Sequence, residues 1–255
     1  MMSSEKQNKF KNIYENNDEF VIWEKLDNGC SIGTLGYSLE NAQILEVLLQ
    51  SFSEQYGEKI DLEAAKEELQ LYQEQGKLFI YFDEDMNPVS MNGCIYNYDN
   101  DTVDFVSTKK ELKSLYFYGL STILSYRGKG ACSCLIDYAI DFARENDFDF
   151  VYARTDLVDS NSEWLMAKAG MEICKYDGKI IAEWVDVDEN TGDYRLHMWM
   201  PLQGEIAVLP KGAAYYATDD HMRNIESSEN VIESLDDDLK ICEKVKVKNY
   251  AKISA

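Results

Sequence analysis

The chain is poor in positive charge. Its 25 lysines and arginines face 47 aspartates and glutamates, a formal charge of −22. A surface of that sign repels polyanions, which argues against non-specific binding to nucleic acid or to anionic membranes and fits a cationic substrate or partner. Proline is scarce as well, with 3 in 255 residues, so no rigid Pro-rich linker is expected. Histidine is limited to His197 and His221, and no Cys-x-x-Cys occurs. A zinc site would have little to draw on, and no metal is expected. No apolar run approaches the roughly 18 residues a spanning helix needs. The first residues, MMSSEKQNKFKN, lack the apolar stretch of a signal peptide. The expectation is a protein of the reducing cytoplasm. Four cysteines, Cys30, Cys94, Cys174 and Cys242, stand singly in apolar or strand-like runs, where buried free thiols are the usual finding.

What is present is enough apolar material for a real core: 45% hydrophobic residues, with 17 tyrosines. One or two strands are expected before about residue 38. The spacing of Ile44, Val47, Leu48 and Phe52 predicts a helix over Glu40–Tyr56, stopped by Gly57. A second helix is predicted from Leu62 to Gln75, with Asp61 as N-cap and Gly76 as its stop. Strands follow, with turns at Asp83–Pro88 and Asp99–Thr102. The run LYFYGLSTI, Leu115 to Ile123, reads as a strand with both faces covered. A helix with Leu135, Ala139 and Phe142 on one face comes next, then the strand FDFVYART, a short helix NSEWLMAKAG and a hairpin turning at DENTGD. Beyond Leu209, SSENVIESLDDDLK is predicted as an acidic surface helix and KVKVKNY as an edge strand.

The segment SYRGKGACSC, Ser125 to Cys134, puts two glycines and two cations just ahead of a helix. It admits three readings: an ordinary helix-start loop, a nest of backbone N–H groups for phosphate, and a reactive Cys-x-Cys. A helix start leaves N–H groups unpaired with partial positive charge, and glycines let an anion approach the backbone. The spacing fits neither a P-loop nor a dinucleotide fingerprint. Cys132 and Cys134 are two apart on a helix, do not face each other, and have no histidine nearby in sequence, so they read as small packing residues. The run Asp186–Gly192 echoes a calcium loop, but its glycine falls one place late and His197 stands where the closing glutamate belongs. A hairpin turn is expected there.

The run LSTILSYRGKGAC, Leu120 to Cys132, resembles the acetyl-CoA motif of the GNAT superfamily of N-acetyltransferases. That pattern, Arg/Gln-x-x-Gly-x-Gly/Ala, lands on Arg127, Gly130 and Cys132, with the cysteine in place of a glycine or alanine. DSNSEWLMAKAGM, Asp159 to Met171, resembles the family's second signature: an asparagine, a short helix, and a Gly-aromatic or Gly-Met pair opening a strand. The resemblance covers about Leu115 to Ile173 well, the two helices and strands before it loosely, and the tail beyond Leu209 not at all.

The resemblance implies an α/β (α+β) fold with a mixed, mostly antiparallel central sheet flanked by helices. An N-terminal extension with the first strand region over residues 1–30, an acyltransferase domain over 31–209 and an acidic C-terminal extension over 210–255 are expected. Backbone N–H groups of Arg127, Gly128, Gly130, Ala131 and Cys132 would hold the pyrophosphate of acetyl-CoA, with Lys129 beside them. The strand at Leu120, Ser121 and Thr122 would bond the pantetheine and polarise the thioester carbonyl, and Asn161 would lie near the thiol. Many members carry a tyrosine on the short helix to protonate the departing thiolate. Here that position is Met166, which has no proton to give. Ser162, Tyr152 and Tyr176 lie in the right region to replace it, and Asp104 and Asp156 are candidate bases. The implied activity is acetyl transfer to a primary amine of a cationic small molecule or of a protein or peptide, and a homodimer is among the expectations. The alternative is a non-catalytic acidic module that binds acyl-CoA or a basic protein.

Overall fold

A computed structural model describes residues 21–53, 60–99, 102–108, 111–156, 162–176, 179–186, 192–210, 215–217, 229–234 and 242–246. The elements are β1 (Val21–Lys25), β2 (Ser31–Thr34), α1 (Leu39–Ser53), α2 (Leu62–Gln75), β3 (Gly76–Phe82), β4 (Pro88–Tyr96), β5 (Val103–Ser107) and β6 (Ser114–Thr122). A 3-10 turn (Leu124–Tyr126) leads to α3 (Ala131–Glu145), β7 (Phe150–Asp156), α4 (Ser162–Lys168), β8 (Glu172–Ile173) and β9 (Lys175–Tyr176). The last strands are β10 (Lys179–Asp186), β11 (Gly192–Pro201), β12 (Ile206–Pro210), β13 (Tyr215–Ala217), β14 (Glu229–Ser234) and β15 (Cys242–Lys246). The chain divides into two compact units, Met1–Tyr96 with Leu115–Asp147, and Asn97–Ser114 with Phe148–Ala255. The β1–β2 hairpin lies within the first unit, and β13 pairs with β10 within the second. Among the described residues no helix is long and apolar enough to cross a membrane.

In the first unit an antiparallel sheet runs β1-β2-β3-β4-β6. α2 begins as its sequence requires: Asp61 is extended and its carboxylate accepts the Ala64 N–H at 2.9 Å. Its apolar face, Ala65, Leu69 and Tyr72, is buried, and Tyr72 lies against Gly93 of β4. The opposite face of the sheet carries Phe79, which stacks edge-on against Trp23, Tyr138 and Phe142. Leu135, Ala139 and Phe142 of α3 are buried there as predicted. Each large side chain removed from water in this way stabilises by about 1.5–3 kcal/mol.

α1 is a helix as predicted, but it buries a different stripe. Ala42, Leu45, Leu48 and Leu49 face inward, while Val47 is 61% exposed. The run ILEVLL is apolar nearly all round, so two helical stripes can be drawn through it and packing chooses between them.

The second unit holds an antiparallel ladder β7-β11-β10-β13-β14-β15, with β8 on β11, β9 on β10, and β5 paired with β12. The hairpin joins Asp186 and Gly192 as expected of a turn. The aromatic rings of Phe105, Phe150, Tyr152 and Trp199 pack together in this unit. Where an acidic helix was expected, Glu229–Ser234 forms β14 against β15. The pair Val231-Ile232 favours a strand, and the register sets Glu229 opposite Lys246 and Val231 opposite Lys244.

Candidate coenzyme and acyl-transfer site

β6 runs out into the loop that the sequence singled out. Arg127 N–H donates to Leu124 O at 3.3 Å, and Lys129 N–H to Tyr126 O at 3.4 Å, so these two backbone groups close the turn. Gly128 and Gly130 follow left-handed backbone, with φ of 76° and 89°, a conformation side chains disfavour. A Cβ on either would meet nothing within 4 Å. The N–H groups of Gly128, Gly130, Ala131 and Cys132 have no acceptor among the described residues. They gather at the positive end of α3, an arrangement that suits a pyrophosphate. These four groups belong to the expected donor set, whereas the Arg127 amide is consumed by the turn itself.

Arg127 has another task. Its guanidinium donates to Thr122 O at 3.1 Å and to Ser51 O at 2.8 Å, tying the loop to the end of β6 and to the last turn of α1. Tyr126 forms a second tether. Its hydroxyl donates to Asp83 in the β3–β4 turn at 2.5 Å. Asp83 is covered by its own turn and also accepts from the amides of Asp85 and Asn87. Loss of solvent works to raise its pKa, but the bonds from Tyr126, Asn87 and Asp85 outweigh it and hold the carboxyl below its usual range. The Lys129 ammonium sits 4.2 Å from the Tyr126 ring, which keeps a cation beside the loop.

The thiols are inert by position. Burial pushes Cys132 up to about 11 against the opposing Thr122 hydroxyl, and burial raises Cys134 too. The helix start does not yield a thiolate here.

On β6, Ser121 donates its hydroxyl to Leu48 O at 2.6 Å, and Thr122 shares a 2.8 Å bond with Ser90. These side chains anchor the strand, while Leu120 is half-buried. The β4–β6 pairing contains a bulge. Gly93 pairs with Gly119 and Cys94 with Phe117, so Tyr118 has no opposite residue. Tyr72 of α2 lies across this irregularity. A Cβ on Gly93 would fall 2.0 Å from its ring and one on Gly119 2.6 Å from its hydroxyl. That hydroxyl donates to Glu68 at 2.5 Å. Neither Glu68 nor Tyr72 was singled out in the sequence. The only local signal is their four-residue spacing on a helix, which many helices share.

In the second unit, Tyr152 is buried and donates its hydroxyl to Tyr98 O at 2.9 Å. Its single proton is thus already placed within an aromatic cluster. Ser162 opens α4, and its hydroxyl lies 2.5 Å from that of Thr155. Met166 is buried at 3% exposure and offers no proton. Asp104 is exposed on β5, opposite Leu209, and Tyr176 is exposed on β9. Asp156 ends β7 opposite Arg195, but its side chain and the whole of Asn161 lie outside the described residues. Among the described residues no group of three or more His, Cys, Asp or Glu could hold a metal ion.

A provisionally named phosphinothricin N-acetyltransferase superimposes with a TM-score of 0.52 at 12% identity, covering 68% of this chain and 99% of its own. The Escherichia coli ribosomal-protein-S18-alanine N-acetyltransferase gives a TM-score of 0.49 at 9% identity, over 69% of this chain and 96% of that one. The NatC complex bound to Gag peptide and CoA gives 0.46 at 17% identity, over 72% and 99%. A search of curated proteins by sequence returned no match. Residues 41–171 match the model of the acetyltransferase (GNAT) family. That stretch is just over half of the chain and contains α2, β6, the glycine loop and α3, so the protein belongs to the GNAT acetyltransferase family.

Proposed function

We propose that the protein transfers the acetyl group of acetyl-CoA to a primary amine, by direct attack and without a covalent enzyme intermediate. The amine belongs to a cationic small molecule or to a protein or peptide, and the reaction takes place in the cytoplasm. The carrying observation is the loop ahead of α3. Four backbone N–H groups at a helix start have no acceptor among the described residues, the space above two left-handed glycines is open, and Arg127 and Tyr126 hold the turn from both sides. The net charge of −22 favours a cationic acceptor and opposes nucleic acid. Calorimetry with acetyl-CoA tests the site, with Gly130→Glu as the control. The charged side chain enters the open space and strains a φ of 89°, so binding by the variant should fall at least a hundredfold. Equal binding by both proteins, or none by wild type, rejects the reading.

Buried Met166 favours a second reading, an acyl-CoA-binding module without turnover that engages a basic protein. Release of coenzyme thiol with amine acceptors, above the uncatalysed rate, eliminates it.

A further inference from the structure

We infer that Glu68 is the group that receives the proton of the acceptor ammonium, and that Glu68 with Tyr118 forms the amine subsite at the β6 bulge. This rests on the acetyl-transfer reading above. Four observations bring the groups together. The Glu68 carboxylate lies 3.5 Å from where a Cβ on Gly119 would be, so it touches the bulged strand next to Leu120, the place the family resemblance assigns to the thioester. Tyr72 spans Gly93 and Gly119 and fixes the carboxylate through its 2.5 Å hydrogen bond. The bulge turns Tyr118 toward the same place. Its ring stands edge-on to Tyr72 at 6.3 Å and to Tyr116 at 6.1 Å. Tyr118 is 43% exposed, so the cluster opens to solvent where an amine could enter.

The chemistry suits a cation. An ammonium resting on an aromatic ring beside one carboxylate is held by both the ring's negative face and the charge. Burial raises the pKa of Glu68 against the opposing bond from Tyr72, moving it toward the range in which a base can take and release a proton near neutrality. The titratable groups around it are Tyr72 on its own helix and Tyr118 on β6, with Cys94 of β4 in electrostatic reach of Tyr72. On α1, Glu40 is exposed and Glu46 half-buried. On β3, Lys77 lies against Trp23 and Phe142, and Tyr81 faces Cys30, both on the face covered by α3.

In the step, one proton of the ammonium passes to Glu68. The freed nitrogen lone pair attacks the thioester carbonyl carbon, the C–N bond forms and the C–S bond breaks. The nitrogen's second proton goes to the departing thiolate, giving free coenzyme thiol, and Glu68 returns its proton to solvent. Tyr72 is a positioning residue.

The test uses the full chain, acetyl-CoA, and two probes, spermidine and a trilysine peptide. Binding of each probe to the CoA-saturated protein is followed by calorimetry and by NMR of labelled tyrosine and glutamate. Turnover is followed by thiol release from pH 5 to 9. Glu68→Gln should lower kcat/KM about a hundredfold or more and remove the acid limb of its pH profile, with Glu68→Asp restoring part of both. Tyr118→Ala should raise KM more than it lowers kcat, while Tyr72→Phe shifts the acid limb. Glu74→Gln removes an exposed charge from the same helix and should match wild type. A Glu68→Gln enzyme that keeps the wild-type pH profile overturns the proposal. So does a wild type that binds acetyl-CoA but whose Glu68 and Tyr118 signals respond to neither probe. Failure to bind acetyl-CoA rejects the acetyl-transfer reading instead. Probe binding that then still depends on Glu68 supports the amine subsite independently.

Discussion

The Arg127 guanidinium donates to the Ser51 carbonyl at 2.8 Å, joining the glycine loop to the last turn of α1. That turn contains no basic residue of its own. Its carbonyls are the negative end of a helix and lack intrahelical donors, so a cation from a distant segment both satisfies one and fixes the loop. Arg127→Ala should weaken acetyl-CoA binding about tenfold and destabilise the fold by only about 1 kcal/mol, since the bonds are exposed and partly replaced by water. Arg127→Lys keeps the charge but loses the planar fork that reaches Thr122 and Ser51 together. It should therefore resemble the alanine variant in calorimetry. Binding within twofold of wild type for Arg127→Lys would show that charge alone matters, not the tether.

Tyr72 and Gly93 make a second checkable contact. A methyl group at residue 93 would sit 2.0 Å from the Tyr72 ring, and Tyr72 is 1% exposed and held by Glu68. The ring has nowhere to retreat. Gly93→Ala should destabilise by about 1–3 kcal/mol, read as a shift in the urea midpoint. In a double variant with Tyr72→Leu most of that cost should disappear. Additive effects in the double-mutant cycle would mean the clash is relieved elsewhere.

Lys77 supplies a pH signature. Burial against Trp23 and Phe142 lowers its pKa to about 8 from an ordinary 10.5. Between those values the unfolded chain carries the proton and the native state does not, so stability rises with pH across that window. The contribution is complete above 10.5 and is lost as pH falls through about 8. Subtracting the profile of Lys77→Met from that of wild type should isolate this slope. A flat difference between pH 7 and pH 10 would count against the assignment.

Much of the fold was legible in the letters. Asp61, Leu62 to Gln75 and Gly76 predicted α2 because capping and helical spacing are local properties. The glycine loop was legible for the same reason: two left-handed residues before a helix leave few choices but glycine. The face of α1 was not legible. Its apolar run allowed two stripes, and contact with the sheet selected Leu45 and Leu49 over Val47. β14 escaped as well, because a strand is stabilised by a partner that no local window contains.

The sequence by itself determined the family, the glycine turn at Gly128–Cys132, and the absence of a proton donor at Met166. Each depends on residue type or on spacing within a few positions. Tertiary structure alone decided that Arg127 would serve as a tether with its backbone N–H spent in the turn, and that the Tyr152 hydroxyl would donate to the backbone carbonyl of Tyr98. It also decided that Glu68, Tyr72 and Tyr118 would meet over the glycine pair Gly93 and Gly119. Tyr118 is about 50 residues from Glu68 and Tyr72 in the chain, and only the pairing of β4 with β6 under α2 brings it into their reach.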